Sequence, residues 1–171
     1  STCDMLIQSK HFPENMSYFQ MGFKSVTVNV SDLAAMGATP LGFLLSIALP
    51  KDFEVDNFKQ IIKGVLKACE YYDISLIGGD TNEASEIIIS GTALGLCDSP
   101  LMKNTSKKGD LVVLTGKIGL AALGFNLEDK NIYTKKALEP IAKIKEGINI
   151  KNAGGTSATD ITDGLASELY E

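Results

Sequence analysis

The sequence predicts an α+β fold, arranged as α/β in two lobes, and three observations carry it. Strands and helices alternate along the chain, one long segment has an unambiguous amphipathic helical stripe, and a lysine-rich, turn-rich stretch near residues 98–110 reads as a seam. With 171 residues, 44% of them hydrophobic and 22% charged, the chain can bury one good core or two small ones. The seam divides it into lobes of residues 1–108 and 109–171.

Thr2 to Ser9 alternates apolar and polar residues as a strand does, and HFPENMS after it reads as a loop through Pro13 and Asn15. Tyr18 to Met36 carries two periods at once. Val26, Val28 and Val30 alternate like a strand, while Phe19, Phe23, Val26, Val30 and Leu33 fit one helical face. Length and the alanine-rich end, stopped by Gly37, favour helix. Leu41 to Leu49 is a buried strand ended by Pro50. Asp56 to Tyr72 is the clearest helix, with Phe58, Ile61, Ile62, Val65, Leu66 and Cys69 as its stripe and Lys59, Lys63 and Lys67 outside it.

Ile74 to Ile77 is a strand running into Gly78 and Gly79, and Glu86 to Leu96 is another. Lys107 to Asp110 is a turn, Leu111 to Thr115 a strand, Gly119 to Phe125 a short helix, and Leu138 to Asn149 a further helical stretch. The small-residue run NAGGTSAT then leads into TDITDGLASELYE, which reads as a strand entering a helix.

Charge and composition exclude several function classes. The net charge of −5 argues against a nucleic-acid or anionic-membrane surface. No stretch approaches the roughly 20 apolar residues that span a bilayer. The start lacks the pattern of a secretory signal, so a cytoplasmic protein is expected. Cys3, Cys69 and Cys97 are too widely spaced for a zinc site and read as reduced thiols. All 16 basic residues are lysine, so any phosphate chemistry must use lysine, backbone N–H groups or metal ions.

Aspartates recur in one context, at the end of an apolar or small-residue segment beside Gly, Ser or Thr: Asp4, Asp32, Asp80, Asp160 and Asp163. Helix capping is an equal reading for Asp32 and Asp163. Asp4 and Asp80 fit capping less well; at Asp80 the carboxylate follows a buried strand, and Gly78 and Gly79 leave room for a ligand near the backbone. Carboxylates that converge repel one another unless a cation sits between them, and oxygen donors of this kind suit Mg²⁺ or Ca²⁺. Together with the absence of arginine, this points to a metal–nucleotide site. The common nucleotide motifs G-x-x-x-x-G-K-[ST] and G-x-G-x-x-G are absent, and His11 has no orienting partner evident in the sequence.

VNVSDLAAMGATP, LIGGDTNEAS, KKGDLVVLTGKIGLAALGF and ATDITDGLASEL occur in this order and resemble the successive motifs of the thiamine-monophosphate kinase family. That family lies in a superfamily with aminoimidazole ribonucleotide synthetase, selenophosphate synthetase and the hydrogenase maturation protein HypE. TCDMLIQSKHF is similar to the kinase pattern S/T-T-D-x-L-x-x-x-x-H-F and favours the kinase. The resemblance implies transfer of the γ-phosphate of ATP to thiamine monophosphate, giving thiamine diphosphate, with Mg²⁺ as cofactor. It also implies a homodimer in which the N-terminal sheet pairs with that of a second copy.

By position, the resemblance makes Asp4, Asp32, Asp80, Asp160 and Asp163 metal ligands, with Thr2 and Cys3 beside the first metal. Gly79 and Asp80 meet the ATP phosphates, Lys103 lies near a usual ATP-contacting arginine, and Thr162 stands at a usual ATP-contacting serine. His11 falls at the substrate contact, whereas Glu83 has no role. Cys3 departs from the usual threonine. Against the family the chain is expected to lack an acidic motif before Ser1 and part of the C-terminal lobe. Two other readings follow from the same residues: a sibling enzyme that uses ATP to activate another acceptor, and a non-catalytic Mg-nucleotide-binding domain.

Overall fold

The computed structural model describes residues 1–126 and 132–170. Its elements are β1 (Thr2–Ile7), α1 (Gln8–His11), α2 (Tyr18–Ala35), β2 (Thr39–Leu49), α3 (Val55–Tyr71), β3 (Ser75–Glu83), β4 (Ile88–Leu96), α4 (Leu120–Asn126), α5 (Ile132–Leu138), α6 (Ile144–Asn152) and α7 (Leu165–Tyr170). The class is α+β, with a mixed four-stranded sheet in the order β1-β4-β2-β3. β1 runs antiparallel to β4, and β2 runs parallel to β3. The residues gather into two compact units, one of Ser1–Val30 with Pro40–Gly95, the other of Ser31–Thr39 with Leu96–Glu171.

In the first unit α2 and α3 cover one face of the sheet. Val26, Val30, Phe43, Ile61, Val65 and Ile89 are fully buried there. The competing strand reading of Tyr18 to Met36 loses because a helix puts Phe23, Val26 and Val30 on one buried stripe, which the strand period cannot do. On α3 the buried set is Ile61, Gly64, Val65, Ala68 and Cys69, while Leu66 is half exposed. The stripe is therefore centred on small residues rather than on Leu66. Gly22 and Gly64 explain the shift: a Cβ on Gly22 would overlap the Ile61 carbonyl oxygen, and one on Gly64 would overlap that of Phe19. The two helix backbones touch at this crossing. Burial pushes the Cys69 thiol up to about 11, so this cysteine stays a protonated core residue.

Several sequence expectations are corrected. Gln8 and Ser9, expected as the end of the first strand, and His11, expected as loop, instead fall in the single turn α1 before Phe12 and Pro13 open the chain. β3 does not stop at the glycines but continues through Gly78, Gly79 and Asp80 to Glu83, with an irregular register opposite Phe43 and Leu44. The glycine at 79 has a reason inside the sheet, since a Cβ there would overlap the Leu45 carbonyl oxygen.

In the second unit, residues 111–115 form no strand. Leu111 is 89% exposed and Val113 72%, because among the described residues no neighbouring strand supplies a ladder for this apolar run. The helix expected over 138–149 is shifted to α6, since Pro140 cannot donate and forces the preceding residue out of helical geometry. The expected strand in TDITDGL is also absent, and a side chain takes the place of its ladder partner, as described below. Just past the end of α2 the chain turns at Gly37, φ +65°, with Gly37 N–H and Ala38 N–H donating to the carbonyls of Ala34 and Leu33.

Candidate functional site

In the first unit the candidates lie on β1, α1 and β3. The pairing of β1 with β4 sets Thr2, Asp4 and Leu6 toward the helices, together with Ala93, Gly91 and Ile89. Cys3 and Met5 point to the open face, where Cys3 Sγ lies 3.8 Å from Ser90 Oγ. Asn29 anchors the β1 end. This fully buried side chain accepts the Asp4 N–H at 3.1 Å through Oδ1 and donates from Nδ2 to the Ser25 carbonyl, while the Thr2 hydroxyl donates to the Asn29 carbonyl at 3.1 Å. The position of Asp4 is thereby tied to the buried face of α2.

Asp80 lies elsewhere. It pairs with exposed Ser46, between the buried Leu45 and Ile47, so Asp80 faces the open side of the sheet. β1 and β3 are the two edges, three strand spacings apart, or roughly 14 Å. Asp4 and Asp80 thus occupy opposite edges of the sheet and, by register, opposite faces. Asp80 Oδ1 accepts the N–H of Thr81 at 2.9 Å, a local bond that leaves the rest of the carboxylate at the exposed surface.

His11 does have an orienting partner. The Ile7 N–H donates to His11 Nδ1 at 2.8 Å, and the Ile7 carbonyl oxygen lies 3.3 Å from the same nitrogen, so this edge of the ring is held against the Ile7 backbone. The ring is exposed. Lys24 Nζ donates to the His11 carbonyl at 2.8 Å and lies 6.0 Å from the centre of the Phe12 ring, and burial lowers its pKa. A cleft of about 830 Å³ is lined by the chain neighbour of His11, Phe12, with Met16, Tyr18, Phe19, Glu14 and Glu86, though not by His11 itself.

The second unit holds Asp32, Lys103, Asp160, Thr162 and Asp163. Ser31, in the last turns of α2, donates to Asp160 Oδ2 at 2.7 Å, which brings Asp160 beside the residue that precedes Asp32. The small residues of NAGGTSAT are stitched to the 102–110 loop. The Ser157 hydroxyl donates to the carbonyls of Met102 and Lys103, each at 2.7 Å, and that of Thr156 to Asp110 at 2.6 Å. This last bond, followed by one from the Lys107 N–H, lowers the Asp110 pKa.

Thr162 and Asp163 are held by a carboxylate the sequence reading passed over. Glu168, on α7, has a side chain only 6% exposed, with Lys103 Nζ 4.0 Å from its Oε2. Among the described residues, no group of three or more His, Cys, Asp and Glu side chains forms a ready cage for a metal. The donors present are nonetheless carboxylate and hydroxyl oxygens, the hard ligands that suit Mg²⁺. Cys3 is the exception, a soft thiol turned to the open face.

Asn29, Ser31, Lys24 and Glu168 were missed in the sequence. Asn29 had a usable signal, a polar residue on the apolar stripe of VTVNV, and a stripe polar residue is commonly a buried clamp. Glu168 had only its spacing from Asp163, which ordinary surface glutamates share.

No described helix is long and apolar enough to cross a membrane. Residues 1–97 match the family described as AIR synthase related protein, N-terminal domain. The chain is 42% identical over 175 positions to the thiamine-monophosphate kinase of Pyrococcus horikoshii, covering 99% of this chain and 56% of that protein. It is 40% identical over 178 positions to that of Buchnera aphidicola subsp. Schizaphis graminum, with 97% and 54% covered. The crystal structure of thiamine monophosphate kinase from Aquifex aeolicus superimposes with a TM-score of 0.88 at 29% identity, over 96% of this chain and 59% of that one. A structure of AaThiL complexed with AMPPCP and TMP gives 0.91 at 29% identity, over 98% and 57%. HypE in complex with ATP shares the fold over 63% of this chain and 33% of its own, with a TM-score of 0.54 at 18% identity. The chain spans little more than half the length of the curated relatives it matches.

Proposed function

The chain belongs to the AIR synthase related family, and from that premise we propose that the protein is a thiamine-monophosphate kinase, transferring the γ-phosphate of ATP to thiamine monophosphate. The observation that carries this reading is the identity of 42% to a curated kinase across nearly the whole chain. The relative complexed with AMPPCP and TMP supports ATP as co-substrate.

The acceptor needs no general base, because a phosphate monoester with a second pKa of about 6 is already largely dianionic at neutral pH. The difficulty is to hold one polyanion in line with another, so the residues serve positioning and charge neutralisation. Asp4, Asp32, Asp80, Asp160 and Asp163 would hold Mg²⁺, which when bound neutralises the phosphate oxygens. Cys3 would contribute through its backbone oxygen, since its thiol suits Mg²⁺ poorly.

Gly79 gives its backbone to the ATP phosphates, and Lys103 and Thr162 also contact ATP; with the lobes assigned as residues 1–108 and 109–171, Lys103 belongs to the first and Thr162 to the second. His11 donates its Nε2 proton to the substrate phosphate, and the adjoining cleft takes the organic part. The open face of the sheet, which carries exposed Met5 and Leu94 among polar residues, fits pairing with a second copy in a homodimer.

The test uses His11→Ala in the whole protein. KM for thiamine monophosphate is expected to rise about tenfold, the loss of one hydrogen bond to a charged group, with KM for ATP within about twofold. The opposite pattern removes His11 from the acceptor side.

A further inference from the structure

We propose that Glu168 is a positioning residue for the nucleotide end of this reaction, the side chain that shapes the TDITDG loop so that Asp160, Thr162 and Asp163 act together. The inference rests on the proposed kinase reading for the roles of those three residues. What it adds is the means by which they are held.

Glu168 Oε1 accepts three bonds from the loop: the N–H of Thr162 at 3.1 Å, the Thr162 hydroxyl at 3.3 Å and the N–H of Asp163 at 3.2 Å. Its Oε2 accepts from the Thr159 hydroxyl at 3.4 Å, with Lys103 Nζ at 4.0 Å, and Thr159 also donates to the Asp160 carbonyl at 3.1 Å. One carboxylate therefore reaches both flanks of the loop and the lysine assigned to ATP. A loop of this length would ordinarily give its N–H groups to water or to a strand. Here Glu168 collects two of them, and Gly164, φ +101°, lets the chain turn from the loop into α7. Removing the acceptor frees the Asp163 and Thr162 backbone, and the side chains that depend on it lose their fixed direction.

A surface glutamate that merely stabilised α7 would make bonds within the helix. Glu168 instead directs its side-chain bonds out of the helix, into residues 159–163. Reach should therefore matter more than charge. Glutamine presents an amide oxygen where Oε1 lies, whereas aspartate is one methylene short.

The experiment measures Mg-ATP binding by calorimetry, and KM for ATP and for thiamine monophosphate, in the whole protein carrying Glu168→Gln, Glu168→Asp or Glu168→Ala, with thermal midpoints recorded for each. Glu168→Gln is expected to stay within about threefold of the unaltered protein. Glu168→Asp is expected to weaken Mg-ATP binding and raise KM for ATP about tenfold, while KM for thiamine monophosphate holds within about twofold. Should Glu168→Ala fail to fold, the order of the Gln and Asp variants still decides. Equal Mg-ATP binding by the Gln and Asp variants, whatever their thermal midpoints, overturns the inference. So does an aspartate variant better than the glutamine one. If the unaltered protein fails to bind Mg-ATP, the kinase reading falls as well, so the two failures are distinct.

Discussion

Gly22→Ala is expected to destabilise the protein by about 2–4 kcal/mol, although alanine in an open helix is about 1 kcal/mol more favourable than glycine. The sign reverses because the Gly22 Cα lies against the Ile61 carbonyl, where a new Cβ would overlap backbone that cannot rotate away. Gly64 faces Phe19 in the same manner, so α2 and α3 must separate to admit a methyl group at either site. That separation would loosen the contacts of Val26, Ile61 and Val65, all fully buried. Urea unfolding of the two single variants measures the effect. A midpoint raised by Gly22→Ala would show that the helices do not cross as closely as described.

Asp80→Asn should remove turnover by about 10²-fold or more while leaving the fold intact. The exposed carboxylate makes one local bond, to the Thr81 N–H, which the asparagine Oδ1 retains, so stability has little to lose. Loss of the anionic oxygen would strike the proposed Mg²⁺ contact alone. Near-normal turnover would remove Asp80 from the metal site. Loss of turnover with an altered thermal midpoint would make its role structural.

The long elements were legible because one period dominated each. α3 shows a helical stripe over its whole length, and β2 is a run of apolar residues closed by Pro50. Even α2, with two competing periods, was decided by its length and its alanine-rich end. What could not be read depended on neighbours. LVVL at residues 111–114 has every propensity for a strand, yet a strand also needs a partner ladder, which propensity does not report. TDITDGL reads as a strand entering a helix, but its backbone is claimed by Glu168, five residues beyond Asp163.

The candidate site divides in the same way. The aspartates announced themselves through the repeated context of glycine, serine and threonine beside them. Nothing local in SLIGGDTNE could reveal that Asp80 would face away from Asp4 across the sheet, because that follows from the strand order β1-β4-β2-β3. The glycines of that stretch had been read as space for a phosphate. Gly79 also answers to Leu45, so its identity alone is weaker support for ligand approach than it first looks.

The central claim is that this protein phosphorylates thiamine monophosphate, and the most direct measurement is product formation by the whole protein with Mg-ATP and thiamine monophosphate as the sole acceptor. The account predicts ADP and thiamine diphosphate in equal amounts, with both abolished by chelation of Mg²⁺. Binding of Mg-ATP with neither product formed, or ADP release that requires a different acceptor, would contradict it.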